Sequence, residues 1–342
     1  MSTPLHAITG ATGLIGSHLA ERLAARGVRV RALVRPSSDT AFLCGLGAEL
    51  VVADLRQHES VAQALAGVDS LYHCAAKVDD CGPWPMFRRE IVDTTRSVMQ
   101  GASAAGVPRV VHVSSLAAYG HPRFDQPVAE DAPLAQRLRL WDYYCLAKSQ
   151  SETTAREAAP HVTVVRPSLA YGERERSVFS RIIATMRAGR AALLGSGDNL
   201  LNLVYAGDIA AGAILAAGCE TARGQAYNLS SGGEITQRQL YEALAAAFGL
   251  PPVTCRVPLP AAYCGAFALE ARARLLNGSR PVITRHGISL LCRPCTYSVE
   301  KAQRELGWRP QMPAEEGIQR MAEWMRERDL ASQIRLPTNH GN

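Results

Sequence analysis

The chain has 342 residues, 47% hydrophobic and 20% charged, with a formal net charge of +6. Those values fit an ordinary globular protein with ample core, arranged as one large or two smaller domains. Scattered basic residues argue against a nucleic-acid surface, no uncharged run approaches the roughly 20 residues of a bilayer span, and nine dispersed cysteines suit reduced thiols better than disulfides.

Gly10 to Gly16 interrupts the only early apolar run, so no signal peptide is read and a cytoplasmic location is expected. In chain order, "HAIT" (6–9), "VRVRALV" (28–34), "ELVVAD" (49–54), "SLYHCA" (70–75), "RVVHVSS" (109–115) and "VTVVRP" (162–167) read as strands. Helical patterns lie between them; in the first, Ile15, Leu19 and Leu23 recur on one face. This alternation predicts an α/β fold, a Rossmann-type doubly wound parallel sheet. After Pro167 the pattern changes. Helices are expected over 258–277 and 313–328, and from Thr236 as N-cap to Gly249 as C-cap. The expected organisation is a dinucleotide-binding domain over 1–166, rejoined by about 200–220. A smaller, interleaved C-terminal substrate lobe takes 167–199 and 221–335, and a frayed tail 336–342. The Cys292–Cys295 pair has no second pair or histidine cluster beside it, so buried small hydrophobes are expected and no metal site.

The turn Gly10-x-x-Gly13-x-x-Gly16 directly follows the first strand and opens a helix. Glycines there permit a tight turn and let backbone N–H groups reach a pyrophosphate at the helix N-terminus. Thr12, Leu14 and Ile15 belong to the same turn. An NAD site usually ends its second strand on an acidic residue; this chain has Val34 then Arg35, and an arginine suits a 2′-phosphate. NADP is therefore expected, with NAD as the alternative; a merely solvated Arg35 is the plainer reading. Asp54, followed by Leu55, could accept from the adenine amino group or cap the next helix. Ala75 and Ala76 end the fourth strand, where small residues would let a cofactor pass.

In "LWDYYCLAKSQSE" (140–152), Lys148 lies four residues beyond Tyr144 and five beyond Tyr143. Only the i, i+4 pair shares a helical face, and Tyr143 points about 100° away. Tyr144 is the candidate acid and Tyr143 a packing or pocket-wall residue. A neighbouring ammonium favours the phenolate, by about 4 kcal/mol at 4 Å and an effective dielectric of 20. Ser114 and Ser115 end the fifth strand, where doubly wound sheets place their sites.

Together with "SSLAAYG", "VRPSLAYG" (165–172), "LVYAGDIA" (203–210) and "KAQRELGWRP" (301–310), these features resemble the extended short-chain dehydrogenase/reductase superfamily over most of the chain. The resemblance implies Ser115, Tyr144 and Lys148 as catalytic residues, with Lys148 holding the nicotinamide ribose and Pro167 near the nicotinamide. It makes Lys77 a cofactor contact, with solvent exposure as the alternative. It also implies a homodimer through helices at 85–105 and 141–158. Two departures stand out: Ile91 occupies the place of an asparagine assigned to a proton-relay water, and Thr94 that of a glycine. Nucleotide-sugar epimerases and dehydratases tend to carry a diphosphate-clamping arginine where this chain has Leu201, with Asn199 and Asn202 nearby. Arg174, Arg176 or Arg272 could substitute. The chain looks more like the 3β-hydroxysteroid dehydrogenase-like branch, which includes β-keto acid reductases.

The resulting expectation is an NADPH-preferring reductase of a mostly apolar ketone, or dehydrogenase of its alcohol. A nucleotide-sugar enzyme with tightly bound NAD and a non-catalytic dinucleotide-binding protein are the rivals. The apolar stretch 260–276 is expected to pack in the lobe; lining a lipophilic pocket or touching a membrane surface are the alternatives.

Overall fold

β-Branched runs bounded by glycine turns pair side by side into one parallel sheet. The computed structural model describes residues 3–78, 80–120, 126–136, 142–233, 235–275, 281–292 and 295–334, and the side chains of these up to 328. Six strands follow the expected runs: β1 (Leu5–Thr9), β2 (Arg29–Val34), β3 (Glu49–Val52), β4 (Ser70–His73), β5 (Arg109–Val113) and β6 (Thr163–Pro167). The spatial order is β6-β5-β4-β1-β2-β3, and a seventh strand, Ala226–Leu229, pairs parallel outside β6. The order reverses between β1 and β4. A crevice opens there at the carboxyl ends of the strands, where such sheets bind ligands.

Helices cover both faces, so β1, β4 and β6 are almost wholly buried, while the edge strand β3 is mostly exposed. On one face, Leu19 and Leu23 of the helix Leu14–Ala24 meet Ile209 and Ala213 of the helix Ala206–Gly218. On the other, Val61, Val98 and Ala155 form a second core from the helices His58–Ala64, Thr94–Ala104 and Tyr143–Ala158.

The lobe is built around Phe179, Ile183, Leu240, Leu244, Ile318 and Met321. Thr236 and Gln239 form a reciprocal capping box on the helix Gln237–Phe248, and Gly249 closes it in the left-handed conformation at φ 62°. The helices Leu259–Leu275 and Arg285–Cys292 complete the lobe. Cys292 and Cys295 are buried, as small hydrophobes are; the residues between them lie outside the described set, as does the 336–342 tail. Among the described residues no helix is long and apolar enough to cross a membrane.

Two placements differ from the sequence reading. The strand in "NLVYAGDIA", Leu203–Tyr205, does not enter the large sheet; it pairs with Leu169–Tyr171. The helix after it is what rejoins the dinucleotide-binding half. The strand Ala226–Leu229 falls within the stretch assigned to the lobe, yet it is an edge of the large sheet. Four residues with Asn228 among them show no strand periodicity, so only the exposed edge of β6 selects them. The C-terminal segment also returns: Trp308 Nε1 donates to the Asp208 carbonyl at 2.9 Å, and the Asp208 carboxylate accepts from Gln311 N (2.9 Å) and Met312 N (3.0 Å).

Candidate active site

The crevice opens into a cavity of about 1600 Å³ that runs from the glycine turn to the lobe. Gly10 sits at φ 69°, and a Cβ there would lie 2.7 Å from Ala75 N. A Cβ on Gly16 would collide with the Gly10 carbonyl oxygen. The turn therefore needs glycine at both places. No side chain caps the following helix, so its first N–H groups point at the cavity unsatisfied, as an anion site requires. Thr12, Gly13, Leu14 and Ile15 complete this wall, and Leu55, Ala75, Ala76, Lys77 and Pro167 line the channel that continues from it.

Arg35 is exposed at the cavity edge, and its guanidinium makes no ion pair among the described residues. Asp54 reaches the same edge. Its carboxylate is bound by Arg56 at 3.0 Å and accepts from Arg56 N, and these interactions pull its pKa down. Asp54 thus ties down its own loop and does not cap the next helix, His58–Ala64, whose N-cap is Gln57 without a side-chain hydrogen bond.

Tyr144 and Lys148 share one face of the helix Tyr143–Ala158, and both line the cavity. Tyr143 turns away and packs against Trp84 and Phe87, with ring centroids 6.0 and 6.3 Å apart. Ser115 and Tyr144 both line the cavity, and Ser115 stands near enough to the phenol to act on its pKa. Ser115 also accepts from Ala117 N at 3.1 Å, which fixes its rotamer, whereas the buried Ser114 hydroxyl has no partner among the described residues. Burial pushes the Tyr144 phenol well above its ordinary pKa, and only Ser115 pulls the other way. The net direction is thus opposite to that expected from a neighbouring lysine, because burial dominates and Lys148 is not among the groups that act on the phenol. Lys148 is 4% exposed, burial lowers its pKa to about 8, and its ammonium has no hydrogen bond or ion pair among the described residues. A buried ammonium without a protein acceptor, the uncapped helix end and the glycine turn all fit a nicotinamide dinucleotide.

Ile91 lies in a π-helical turn, Arg88–Asp93, with its side chain in an apolar cluster with Phe87 and Ala147. Its carbonyl accepts from the Thr95 hydroxyl at 2.7 Å, and the Thr94 hydroxyl is spent on the Arg89 carbonyl at 3.0 Å.

Beyond Tyr144 the walls come from the lobe. Ala262, Ala266, Leu269, Val282, Ile283 and Leu290 make this half apolar. The described part of the 260–276 stretch, up to Leu275, is therefore a pocket wall on one side, while Tyr263 and Phe267 are 38% and 45% exposed on the other. Leu201 is buried, and Arg174, Arg176 and Arg272 are not in the wall. Arg181 and Arg190 do reach it; Arg181 pairs with Asp80 at 3.6 Å. Two groups that the sequence reading missed also stand here. Asp142 caps the tyrosine's helix through Cys145 N, and its position just before the helical pattern was a usable signal. His286, on the helix Arg285–Cys292, meets Tyr144 with ring centroids 5.4 Å apart. Nothing local in the sequence marks it.

A dinucleotide turn joined to a Ser-Tyr-Lys cluster across one cavity defines a Rossmann-type oxidoreductase. The model of the NAD dependent epimerase/dehydratase family matches residues 6–230. The chain belongs to this family, within the extended short-chain dehydrogenase/reductases and on their 3β-hydroxysteroid dehydrogenase-like side. It is 30% identical to a 2-alkyl-3-oxoalkanoate reductase of Stenotrophomonas maltophilia over 92% of this chain and 97% of that one. It is 32% identical to sterol demethylase protein B of Methylococcus capsulatus, over 94% and 98%. Among solved structures, a dTDP-glucose 4,6-dehydratase of Streptomyces venezuelae with NAD bound superposes with a TM-score of 0.73 at 25% identity, over 94% of this chain and 97% of that one.

Proposed function

We propose that the protein reduces a ketone, or oxidises the matching secondary alcohol, on a mostly apolar substrate, and prefers NADPH. The carrying observation is that Ser115, Tyr144 and Lys148 line one cavity with the glycine turn on one side and the apolar lobe residues on the other. A carbonyl oxygen placed between those two sides accepts from Ser115 and takes its proton from the Tyr144 hydroxyl. The buried Lys148 ammonium favours the phenolate left behind and would hold the ribose hydroxyls. The backbone at Gly10, Thr12 and Gly13 would hold the pyrophosphate, and Arg35 the 2′-phosphate. A bound nicotinamide supplies the hydride. The names carried by the Stenotrophomonas and Methylococcus relatives support substrates such as β-keto acids or sterols.

The rival is a nucleotide-sugar enzyme, which the nucleotide-sugar dehydratase among the solved neighbours keeps in view. Against it, the place of the diphosphate-clamping arginine is the buried Leu201, and a buried diphosphate without a counter-charge is costly. The test is an NADPH-oxidation and thermal-shift screen of apolar ketones and β-keto acids against UDP- and dTDP-sugars. Turnover of an apolar ketone is expected. Saturable binding of a nucleotide sugar, with no response to any apolar ketone, would overturn the reading.

A further inference from the structure

We propose that His286, held by Asp142, is a second acid–base residue of this site and returns the proton that Tyr144 gives up. The proposal rests on the ketone-reductase reading above.

The geometry is that of an oriented imidazole. His286 Nδ1 lies 3.3 Å from Asp142 Oδ1 and 3.7 Å from the Cys145 sulfur. Both approaches use the same nitrogen, so the Asp142 carboxylate fixes the tautomer with Nδ1–H turned towards it. Asp142 is itself fixed: it accepts from Cys145 N at 3.4 Å as the N-cap of the helix that carries Tyr144. The other nitrogen, Nε2, has no partner among the described residues, and the ring lines the cavity. The planes of His286 and Tyr144 cross at 70°, with centroids 5.4 Å apart. That separation makes the imidazole an immediate neighbour of the phenol ring, and both line the cavity.

A need for such a group is visible at Ile91, whose apolar cluster Tyr144 packs against. Ile91 has no polar side chain to offer a relay water. Its carbonyl is engaged by Thr95, and the Thr94 hydroxyl is engaged by Arg89. Among the described residues, the charged and titratable groups around His286 are Tyr144, Asp142 and Cys145 of the tyrosine's helix and its cap, the Arg285–Glu270 pair joining its own helix to Leu259–Leu275, and Asp80. Asp80 accepts from Thr284 at the start of the His286 helix and pairs with Arg181.

The proton balance is simple. Reduction moves a hydride from a reduced nicotinamide to the carbonyl carbon and the Tyr144 proton to the carbonyl oxygen. The C=O bond becomes C–O–H, the nicotinamide is oxidised by two electrons, and Tyr144 is left as phenolate. Protonated His286 then transfers its Nε2 proton to the phenolate oxygen and recovers one from water in the cavity. Alcohol oxidation runs the same steps backwards.

The test compares wild type with His286→Asn, whose amide can keep the bond to Asp142 but has nothing in place of Nε2, and with Asp142→Asn. The measurements are steady-state reduction of an apolar ketone from pH 5.5 to 9, NADPH affinity by fluorescence titration, and thermal midpoint. In wild type, kcat should fall towards high pH. In His286→Asn, kcat should fall roughly a hundredfold at neutral pH, in the range of general acid–base contributions. That limb of the profile should vanish, added imidazole should restore part of the rate, and NADPH affinity and midpoint should hold. Asp142→Asn should shift the limb. A wild-type profile and kcat in His286→Asn would overturn the proposal while leaving the ketone reading intact. So would a loss of kcat that comes with lower NADPH affinity or midpoint and no rescue by imidazole. A wild type that reduces no ketone would overturn both.

Discussion

Ser115 follows β5 and Tyr144 opens a helix nearly thirty residues later, yet both line the same cavity and Ser115 acts on the tyrosine's phenol. Removing only the tyrosine's oxygen separates chemistry from packing. Tyr144→Phe should abolish ketone reduction and leave NADPH affinity nearly unchanged. Tyr143→Phe should keep most of the activity, since its ring packing against Trp84 and Phe87 survives. Equal losses in paired kinetic assays would mean the wrong tyrosine faces the site.

Arg35→Ala should weaken NADPH binding far more than NADH binding. A charged hydrogen bond between a guanidinium and a phosphate is worth about 1.5–3 kcal/mol, or roughly ten- to a hundredfold in affinity. The check is titration of both cofactors against wild type and variant. Equal wild-type affinities for NADH and NADPH would remove the phosphate reading of Arg35.

Lys148 should make the protein less stable near neutrality than its size requires. Its ordinary pKa of 10.5 falls to about 8 on burial. Below pH 8 the folded state carries a buried ammonium, so the penalty is fully present. Between about 8 and 10.5 the folded state releases a proton that the unfolded chain keeps, and the penalty fades as pH rises. Lys148→Met should therefore be inactive yet more stable at pH 7, by up to roughly 3 kcal/mol. The gain should shrink towards zero near the ordinary lysine pKa. Urea midpoints of the cofactor-free proteins at the two ends of that range decide it.

Glu152 is fully buried and accepts from Arg166 Nε at 2.9 Å, while Arg166 also donates to the Tyr119 hydroxyl and the Glu130 carbonyl. Glu152→Ala should destabilise by about 3–5 kcal/mol, because it leaves a buried guanidinium without its counter-charge. Glu152→Met with Arg166→Met should recover part of that loss in the same urea titration.

Local features of the sequence carried a good share of this site. The glycine turn, the uncapped helix after it and the Tyr144–Lys148 face each depend on residues within about one or two helical turns, so spacing alone resolves them. Thr236 and Gly249 were legible for the same reason. His286 was not: it reaches Tyr144 across more than 140 residues, and only the docking of the lobe brings them together. The strand Ala226–Leu229 was missed because its conformation is imposed by β6. The pKa of Tyr144 was misjudged in direction because a pairwise charge argument contains no desolvation.

The chain crosses between the two halves repeatedly. It leaves the large sheet after β6, returns over 206–229, leaves again, and comes back at Trp308 before the final helix. Neither half is a contiguous piece of polypeptide. Heating should therefore give a single calorimetric endotherm instead of two, with the lobe and the sheet melting together. A fragment ending at residue 166 would also lack the strand that pairs with Val164 and Val165, leaving an apolar edge bare for self-association. Swapping lobes between relatives to exchange substrate preference would need several simultaneous splice points, so specificity in this architecture changes more readily by point substitutions along the cavity wall than by recombination.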